Sequence, residues 1–278
     1  MVLTAVLIAA TACLVILSGC SSSRSAGSVT RIRVMTWNIH HAEGLDKKVD
    51  LERIAKLIQS ERPDVVALQE VDRGVERSGK IDMITKLADL TDMTYAFGKT
   101  IEYQHGDYGN AFLTRFPILE ERNDLFRMIR QGEQRGLLQL VLDVKGDEVV
   151  VAATHFESGR NDSARFASAG ELAATMQKYS SRPVIVCGDF NDSPESRTLT
   201  QLSVQFSDSW REVSQDSGFT FPSNAPRERI DYIFMLHNSK PDSASAAMVL
   251  RPVSARVLQS SASDHLPYTV EFEIRTDR

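Results

Sequence analysis

Residues 183–191, Pro-Val-Ile-Val-Cys-Gly-Asp-Phe-Asn, contain the pattern on which the fold prediction rests. Residues 184–187 are a short apolar run bounded by Pro and Gly, which is typical of a buried β-strand. We expect Cys187 to pack in the core rather than act as a nucleophile. Asp189 and Asn191 follow the strand directly, and loops at strand ends commonly carry binding and catalytic groups. This stretch therefore predicts a core strand with a site at its carboxyl end.

Similar apolar runs elsewhere in the chain predict further strands, over residues 32–37, 65–69, 111–114, 137–144, 149–154, 230–235 and 268–274. Apolar residues at helical spacing predict helices over residues 51–60, 83–90, 164–178 and 197–202. Asp50 is a suitable N-cap for the first helix. The strands on either side of residues 145–148, Lys-Gly-Asp-Glu, form a predicted hairpin. A domain boundary near residue 145 would divide this hairpin, so the pattern favours one continuous domain of sheets covered by helices.

The composition is that of a folded globular protein. The 278 residues carry 32 Lys and Arg against 37 Asp and Glu, a net charge of −5, and 42% of them are hydrophobic. These proportions exclude a disordered chain, a collagen-like repeat and a polytopic membrane protein. The acidic balance also disfavours sequence-independent coating of nucleic acid, which requires many phosphate-neutralising Lys and Arg residues.

The first 19 residues contain no charged side chain and are mostly apolar. An apolar run followed by small residues is typical of a secretory signal, and Leu17-Ser-Gly-Cys20 resembles the lipobox of bacterial lipoproteins. We expect Cys20 to carry the lipid and to anchor the protein in the bacterial cell envelope, outside the cytoplasm. An uncleaved transmembrane anchor and an ordinary signal peptide are the alternatives. The expected organisation is a lipoprotein signal over 1–20, a polar linker over 21–29 and one folded domain over 30–278.

Polar residues recur where the predicted strands end. The fragments are Trp37-Asn-Ile-His-His41, Leu68-Gln-Glu70, Thr154-His-Phe156, Gly188-Asp-Phe-Asn191, Arg229-Ile-Asp-Tyr232 and Ser263-Asp-His-Leu-Pro267. Each fragment alone is consistent with a turn or a cap. Six such fragments in one chain indicate a shared site.

The residue types in these fragments fit metal-assisted chemistry. Asn38, Glu70 and Asp264 offer hard oxygen ligands, which suit Mg²⁺, or alternatively Mn²⁺ or Ca²⁺. Zinc is disfavoured, because the sequence has no HExxH helix and no Cys pair. Histidines can act as general acid or base near neutral pH, and a carboxylate can orient them. With no Ser or Cys nucleophile motif, this set indicates attack of metal-activated water on a phosphoester.

The order of the fragments resembles the endonuclease/exonuclease/phosphatase superfamily of metal-dependent phosphoesterases. The motifs in family order are TWNI at 36–39, LQE at 68–70, YGNAFLTRFPI at 108–118, THF at 154–156, GDFN at 188–191, RIDYIF at 229–234 and SDHLP at 263–267. The NIHH and QEVDRG segments are similar to the bacterial metal-dependent hydrolase branch. The resemblance implies an α/β (α+β) four-layer sandwich, in which two packed mixed β-sheets are flanked by helices and the 30–278 domain is catalytic.

The resemblance also implies roles for the matching positions. The metal site comprises Glu70 as the principal ligand, Asn38, and Asp264 as a metal-proximal carboxylate. The catalytic groups are His265 with its partner Asp231, Asp189 and Asn191 around the attacking water, and His155, which protonates or stabilises the leaving side. Tyr108 and Asn110 match a phosphate-facing loop.

Several basic residues are further candidates for substrate binding. Arg73, Arg77 and Arg135 can bind a substrate phosphate or an anionic headgroup, and the alternative for each is a structural or solvated charge. His40 directly follows the first strand and is a further candidate site residue. With His41 it could add to the metal site, and the alternative for His41 is packing.

The predicted function is hydrolysis of a phosphodiester or a phosphomonoester, with a lipid headgroup or another small phosphoester as substrate. An extracytoplasmic nuclease is the alternative, which a long basic groove would favour over a closed pocket. A catalytically silent surface protein that binds a partner is the alternative from another class. The sequence keeps Glu70, Asp189, Asp231 and His265, which disfavours a catalytically silent protein.

Overall fold

The computed structural model describes residues 28–237 and 248–276. Its elements in chain order are β1 Ser28–Asn38, α1 Leu51–Glu61, β2 Val65–Arg73, α2 Met83–Thr91, β3 Thr94–Tyr103, β4 Gly106–Thr114, β5 Ile118–Leu125, β6 Gly136–Val144, β7 Asp147–His155, α3 Ser163–Met176, β8 Val184–Asp189, α4 Arg197–Leu202, β9 Phe206–Asp208, α5 Ser209–Val213, β10 Asp231–Leu236, β11 Met248–Val257 and β12 Tyr268–Thr276. The predicted signal and its Cys20 lie outside the described residues, and β1 takes in the last two residues of the predicted linker. Within the described ranges, no helix is both long enough and apolar enough to span a bilayer.

The strands form two six-stranded sheets, with the orders β11-β12-β1-β2-β4-β3 and β5-β6-β7-β8-β10-β9. Each sheet is mixed, because β1 runs parallel to β2 and β7 runs parallel to β8, whereas the other neighbours are antiparallel. The predicted pair of packed mixed sheets flanked by helices is confirmed.

Strand β1 shows how one sequence pattern builds two layers. Side chains alternate across a strand, so Ile32 and Val34 enter the core between the two sheets. Met35 and Trp37 lie on the other face and pack with the helices α1 and α2. The second sheet likewise packs its outer face against α3 and α4. The result is the helix–sheet–sheet–helix order of a four-layer sandwich.

Two local predictions are confirmed in detail. Asp50 caps α1, because its Oδ1 accepts hydrogen bonds from the backbone N–H groups of Glu52 and Arg53. Strands β6 and β7 form the predicted hairpin, although its turn has only two residues, Lys145 and Gly146. Both turn residues have positive φ, as the tight turns that match the twist of paired strands require.

Cys187 lies fully buried in the middle of β8, where its side chain belongs to the core between the sheets. Burial strongly raises the pKa of its thiol. A buried, protonated thiol is inert, which agrees with the packing role predicted for it.

Candidate active site

The strand register brings the polar strand ends to one edge of the sandwich. Asn38, the last residue of β1, pairs with Gln69 in the parallel strand β2, where the pairing of β2 with β4 is interrupted. His155 pairs with Asp189 at the ends of β7 and β8. Strand β10 runs antiparallel to β8, so its first residue, Asp231, pairs with Asp189. One side-chain hydrogen bond, 3.0 Å from Asn38 Nδ2 to Asp189 Oδ2, then joins the two sheets across the site.

A cavity of about 400 Å³ opens at this edge. Nine of the predicted site residues line it: Glu70, Arg77, Tyr108, Arg135, His155, Asp189, Asn191, Asp264 and His265. Asn38 and Asp231 are buried behind it and hydrogen-bond to residues of the lining. The structure therefore brings together all the positions for which the sequence predicts a metal-binding or catalytic role.

Glu70 reaches the cavity because β2 is irregular at this point. The pairing of β2 with β4 breaks after Leu68 and resumes at Val71, and Glu70 between them has a left-handed φ of 58°. Such irregularities redirect a side chain out of the regular alternation of a strand. Oε1 of Glu70 accepts a hydrogen bond of 3.0 Å from Asn38 Nδ2.

His265 is fixed by a chain of buried hydrogen bonds. Its Nδ1 is 2.9 Å from Oδ2 of Asp231, and Thr220 Oγ1 donates to the same oxygen at 2.6 Å. Its Nε2 lies 3.7 Å from Oδ2 of Asp189. Burial alone would lower the pKa of His265, but the carboxylates of Asp231 and Asp189 raise it to about 10. The two carboxylates therefore favour the protonated imidazole.

His155 has the opposite environment. Its Nδ1 lies 3.0 Å from Nη1 of Arg135, and a guanidinium can only donate hydrogen bonds. Nδ1 must therefore be the acceptor, which leaves the ring proton on Nε2, 3.5 Å from Oδ2 of Asp189. Burial, and then the positive charges of Arg135 and His265, hold the pKa of His155 well below its usual value. His155 is a neutral imidazole that directs an N–H group at Asp189.

Asp189 lies at the centre of these contacts. Its Oδ2 faces Asn38 Nδ2 and the Nε2 atoms of both histidines, and its Oδ1 accepts the backbone N–H of Asn191 at 2.9 Å. Burial, and then repulsion from Asp231, raise the pKa of Asp189 to about 7. A buried carboxyl group that titrates near neutrality beside two imidazoles is well suited to proton transfer.

The donors around Glu70 fit a divalent cation. Carboxylates of Glu70 and Asp264 line the same cavity, and carboxylate oxygens are the ligands that hard divalent cations prefer. The two guanidinium groups of the lining do not compete for this charge, because Arg77 is paired with Asp72 and Arg135 with Glu133.

Asn38 faces Glu70 with its amide nitrogen, and its Oδ1 accepts the backbone N–H of His40 at 3.0 Å. These contacts hold Glu70 and Asp189 in place, while direct ligation by Asn38 stays a prediction. His40 does not line the cavity, but its Nδ1 is 3.8 Å from Oδ1 of Asp264. His41 is buried, and burial, followed by the charges of Arg77 and His40, lowers the pKa of its imidazole.

Arg77 is held rigidly at the wall of the cavity. Both oxygens of buried Asp72 accept hydrogen bonds of 2.9 Å from its guanidinium. The guanidinium also lies over the rings of Tyr103 and Tyr108, at 5.0 and 5.5 Å from their centroids. This arrangement presents a fixed cation to the cavity, where it can bind an anionic group.

Two predicted substrate contacts lie elsewhere. Arg73 is paired with Asp82 at 2.9 Å and lies over the ring of Phe97, and it does not line the cavity. Asn110 is buried in β4, where its Nδ2 donates to the carbonyl of Gly136 at 3.4 Å. In this structure both residues make structural contacts rather than contacts with the cavity.

Sequence reasoning missed four residues that shape the site: Asp72, Tyr103, Glu133 and Thr220. Asp72 lies within the QEVDRG segment, so its position was visible although its role was not. The other three stand in no motif. Glu133 is two residues from its partner Arg135, whereas the fold brings Tyr103 to Arg77 and Thr220 to Asp231.

The sequence profile of the endonuclease/exonuclease/phosphatase family matches residues 35–265. The chain therefore belongs to this family, whose members are hydrolases that act on phosphoester bonds and are typically dependent on divalent metals.

Among curated relatives, the uncharacterized protein YbhP of Escherichia coli K12 is 28% identical over 255 residues, covering 87% of this chain and 96% of YbhP. Mouse nocturnin is 27% identical over 302 residues, covering 93% of this chain and 68% of nocturnin.

Among solved structures, an endonuclease/exonuclease/phosphatase from Beutenbergia cavernae superimposes with a TM-score of 0.72 at 25% identity, covering 88% of this chain and 72% of that one. The mannosyl-6-phosphatase of Bacteroides thetaiotaomicron superimposes with a TM-score of 0.70 at 19% identity, covering 87% of this chain and 99% of that one. The second likeness concerns the fold alone.

Proposed function

We propose that this protein is a divalent-metal-dependent phosphoesterase that hydrolyses a small phosphoester bound in the cavity. The observation that carries the proposal is the convergence on a single oxygen, Oδ2 of Asp189. An amide N–H from Asn38 and the Nε2 atoms of His155 and His265 all face it, beside the carboxylates of Glu70 and Asp264. Such an arrangement can bind a water molecule and move its proton while a phosphoryl group is attacked.

A divalent cation held by Glu70 and Asp264 would supply Lewis-acid polarisation of a phosphoryl oxygen. The protein groups then act on the water. Asp189 and Asn191 orient it, and Nε2 of His265 takes its proton when that nitrogen is unprotonated. A cation held by Glu70 and Asp264 would favour the unprotonated form of His265, because like charges oppose one another. The hydrogen bond that the Nδ1–H of His265 donates to Asp231 keeps the ring in the orientation that this step needs.

His155 acts on the other side of the phosphoryl group. With Arg135 on Nδ1 and the proton on Nε2, the ring presents a neutral hydrogen-bond donor to the cavity. Such a donor stabilises negative charge on a phosphoryl or leaving-group oxygen. Of the two roles that the family resemblance implies for His155, the structure favours stabilisation over protonation.

The shape and charge of the cavity support a small substrate. A site of about 400 Å³ has the size of pockets that hold small ligands. Among the described residues that line it, two carry a guanidinium, Arg77 and Arg135, and each is already paired with a carboxylate. Binding of a nucleic acid relies on many unpaired cations along the backbone, so a sugar phosphate or a phospholipid headgroup is the favoured substrate class and a nuclease the second candidate.

The deciding experiment compares phosphate or alcohol release from sugar phosphates, phospholipids and plasmid DNA. We expect hydrolysis of a small phosphoester that stops with EDTA and returns with Mg²⁺ or Mn²⁺. The control variant is His105→Ala, an exposed histidine outside the cavity, which should match the wild-type protein. Preferential cleavage of DNA would replace the favoured substrate class with the second candidate. No hydrolysis of any substrate with any cation would overturn the proposal and favour a catalytically silent binding protein.

We also propose that Cys20 carries a lipid that anchors the protein outside the cytoplasm. The support is the uncharged run of residues 1–19, which ends in the lipobox-like Leu17-Ser-Gly-Cys20. In bacterial cells, mass spectrometry of the mature amino terminus should find a diacylated cysteine at this position. The variant Cys20→Ala should lack the acyl groups, and an unmodified amino terminus in the wild-type protein would contradict the anchor.

A further inference from the structure

The turn after β1 carries two histidines that the proposed reaction does not use. One ligand atom each from His40, His41 and Glu70 lies within 4.8 Å of the other two. The two rings meet edge to face, with their centroids 4.5 Å apart. Nδ1 of His40 also lies 3.8 Å from Oδ1 of Asp264. Two imidazoles are thus grouped with the carboxylates that the proposed metal site uses.

The second imidazole contains an unsatisfied atom. His41 is only 7% exposed, and its Nδ1 is buried without a hydrogen-bond partner among the described residues. Leaving a buried polar atom unpaired costs about 1–3 kcal/mol, so such atoms in folded proteins usually have a partner. The neutral nitrogen of an imidazole is the commonest protein ligand for metals, and a bound cation would provide the missing partner.

The backbone of this turn brings the two histidines to the same side. Consecutive residues of a strand point to opposite faces, but His40, His41 and Ala42 all have left-handed φ values of 45°, 41° and 59°. Non-glycine residues rarely adopt this conformation. Here it is held by Oδ1 of Asn38, which accepts the His40 N–H, and by the Ala42 N–H bonding to the carbonyl of Ile39 at 2.8 Å.

We propose that His40 and His41, together with Glu70, form a nitrogen-containing cation site that selects a first-row transition ion such as Mn²⁺ or Co²⁺ over Mg²⁺ and Ca²⁺. Imidazole nitrogen is a common ligand of first-row transition ions, of which Mn²⁺ also accepts carboxylate oxygen, whereas Mg²⁺ and Ca²⁺ prefer ligand sets composed only of oxygen. The inference deepens the proposed function, because both share Glu70. It assigns the metal preference to residues outside the oxygen donors that the sequence singled out.

The test measures metal binding without substrate. The full chain is stripped of metal and titrated by calorimetry with Mn²⁺ and with Mg²⁺, for the wild type, His40→Asn/His41→Asn and the control His105→Asn. We expect the wild type to bind Mn²⁺ about tenfold or more tightly than Mg²⁺. The double variant should lose about tenfold or more in Mn²⁺ affinity, while its Mg²⁺ affinity and the control stay nearly unchanged.

Pulsed electron paramagnetic resonance of bound Mn²⁺ gives a second, independent measurement. Coupling to imidazole nitrogen should be present in the wild type and absent in the double variant. The single variant His40→Asn changes a partly exposed position and should lose part of this coupling. It tests the same site if the double variant does not fold. Equal wild-type affinities for both cations, or an absence of nitrogen coupling, would overturn the inference. Nitrogen-coupled Mn²⁺ in a protein that hydrolyses no phosphoester would overturn only the proposed function.

Discussion

Two sides of the cavity each hold a buried histidine, and they differ in the partner of Nδ1. On one side the partner of His155 is the guanidinium of Arg135, and on the other the partner of His265 is the carboxylate of Asp231. Both rings direct Nε2 at the same oxygen of Asp189. The pKa of His155 is lowered, whereas that of His265 is raised to about 10.

Both rings are buried, so the opposite directions of the two pKa shifts follow from the charge of the group beside Nδ1. A cation on Nδ1 fixes the neutral tautomer that only donates through Nε2. A carboxylate on Nδ1 lets the ring carry a second proton and release it. The two sides of the cavity therefore divide the proposed work into charge stabilisation and proton transfer.

The sharpest test of this division is to remove each ring. His265→Ala should lower kcat by about a thousandfold, since general acid–base groups contribute 10²–10⁴-fold. His155→Ala should lower kcat less, by about a hundredfold, as expected for loss of one oxyanion donor. Steady-state kinetics on the substrate identified above measures both, and equal losses would contradict separate roles.

Asp231→Asn should convert the environment of His265 toward that of His155. Asp231 raises the pKa of His265, so its loss should lower that pKa from about 10 in the metal-free protein. A histidine NMR titration measures this shift, with wild type as reference. We expect kcat to fall by about a hundredfold or more, as carboxylate-to-amide changes beside catalytic histidines do. An unchanged pKa would show that Asp231 does not set the protonation of the ring.

Arg135→Leu makes the reciprocal change on the other side. Removal of the guanidinium takes away a charge that lowers the pKa of His155, so this pKa should rise, although burial keeps it below 6.5. The ring also loses the donor that fixes its tautomer, and we expect kcat to fall by about tenfold. Arg73→Leu, outside the cavity, is the matched control. A His155 titration that does not move would refute the assignment.

The smallest effect is expected for the hydrogen bond behind Asp231. Thr220→Val removes the donor at 2.6 Å from Asp231 Oδ2 and should destabilise the protein by about 1 kcal/mol. It should lower kcat only severalfold, because the carboxylate still contacts His265. Thr220→Ser keeps the hydroxyl and should restore kcat. Chemical denaturation and kinetics measure the two effects, and failure of the Ser variant to restore kcat would assign the loss to packing.

The sequence predicted the central strands but not the four strands β3, β5, β9 and β11. These are the outer strands of the two sheets. A central strand buries both faces and reads as an apolar run, whereas an edge strand keeps exposed, polar residues that prevent pairing with other chains. Strand β5, with the sequence Ile-Leu-Glu-Glu-Arg-Asn-Asp-Leu, is exposed along most of its length, so no hydrophobic pattern marks it.

The residues of the candidate site also differ in how well the sequence predicts them. Groups within motifs, such as Glu70, Asp189 and His265, were predictable because each stands in a short polar fragment beside an apolar run and matches a family motif. Thr220, whose hydroxyl donates to the partner of His265, comes from a loop outside the motifs. No local spacing relates Thr220 to the strand that carries Asp231, and only tertiary packing brings the hydroxyl to the carboxylate.

Strand β1 cannot be paired on both sides until β12, near the other end of the sequence, has been synthesised. This strand pairs with β2 on one side and with β12 on the other, from Ser28 opposite Thr276 to Thr36 opposite Tyr268. The Trp37 Nε1–H also bonds to the backbone carbonyl of His265. A nascent chain that has emerged only as far as β8 holds Glu70 and Asp189 but lacks both His265 and the strand that completes the first sheet. We therefore expect the first sheet, and the candidate site at its edge, to close only after β12 has emerged and paired with β1.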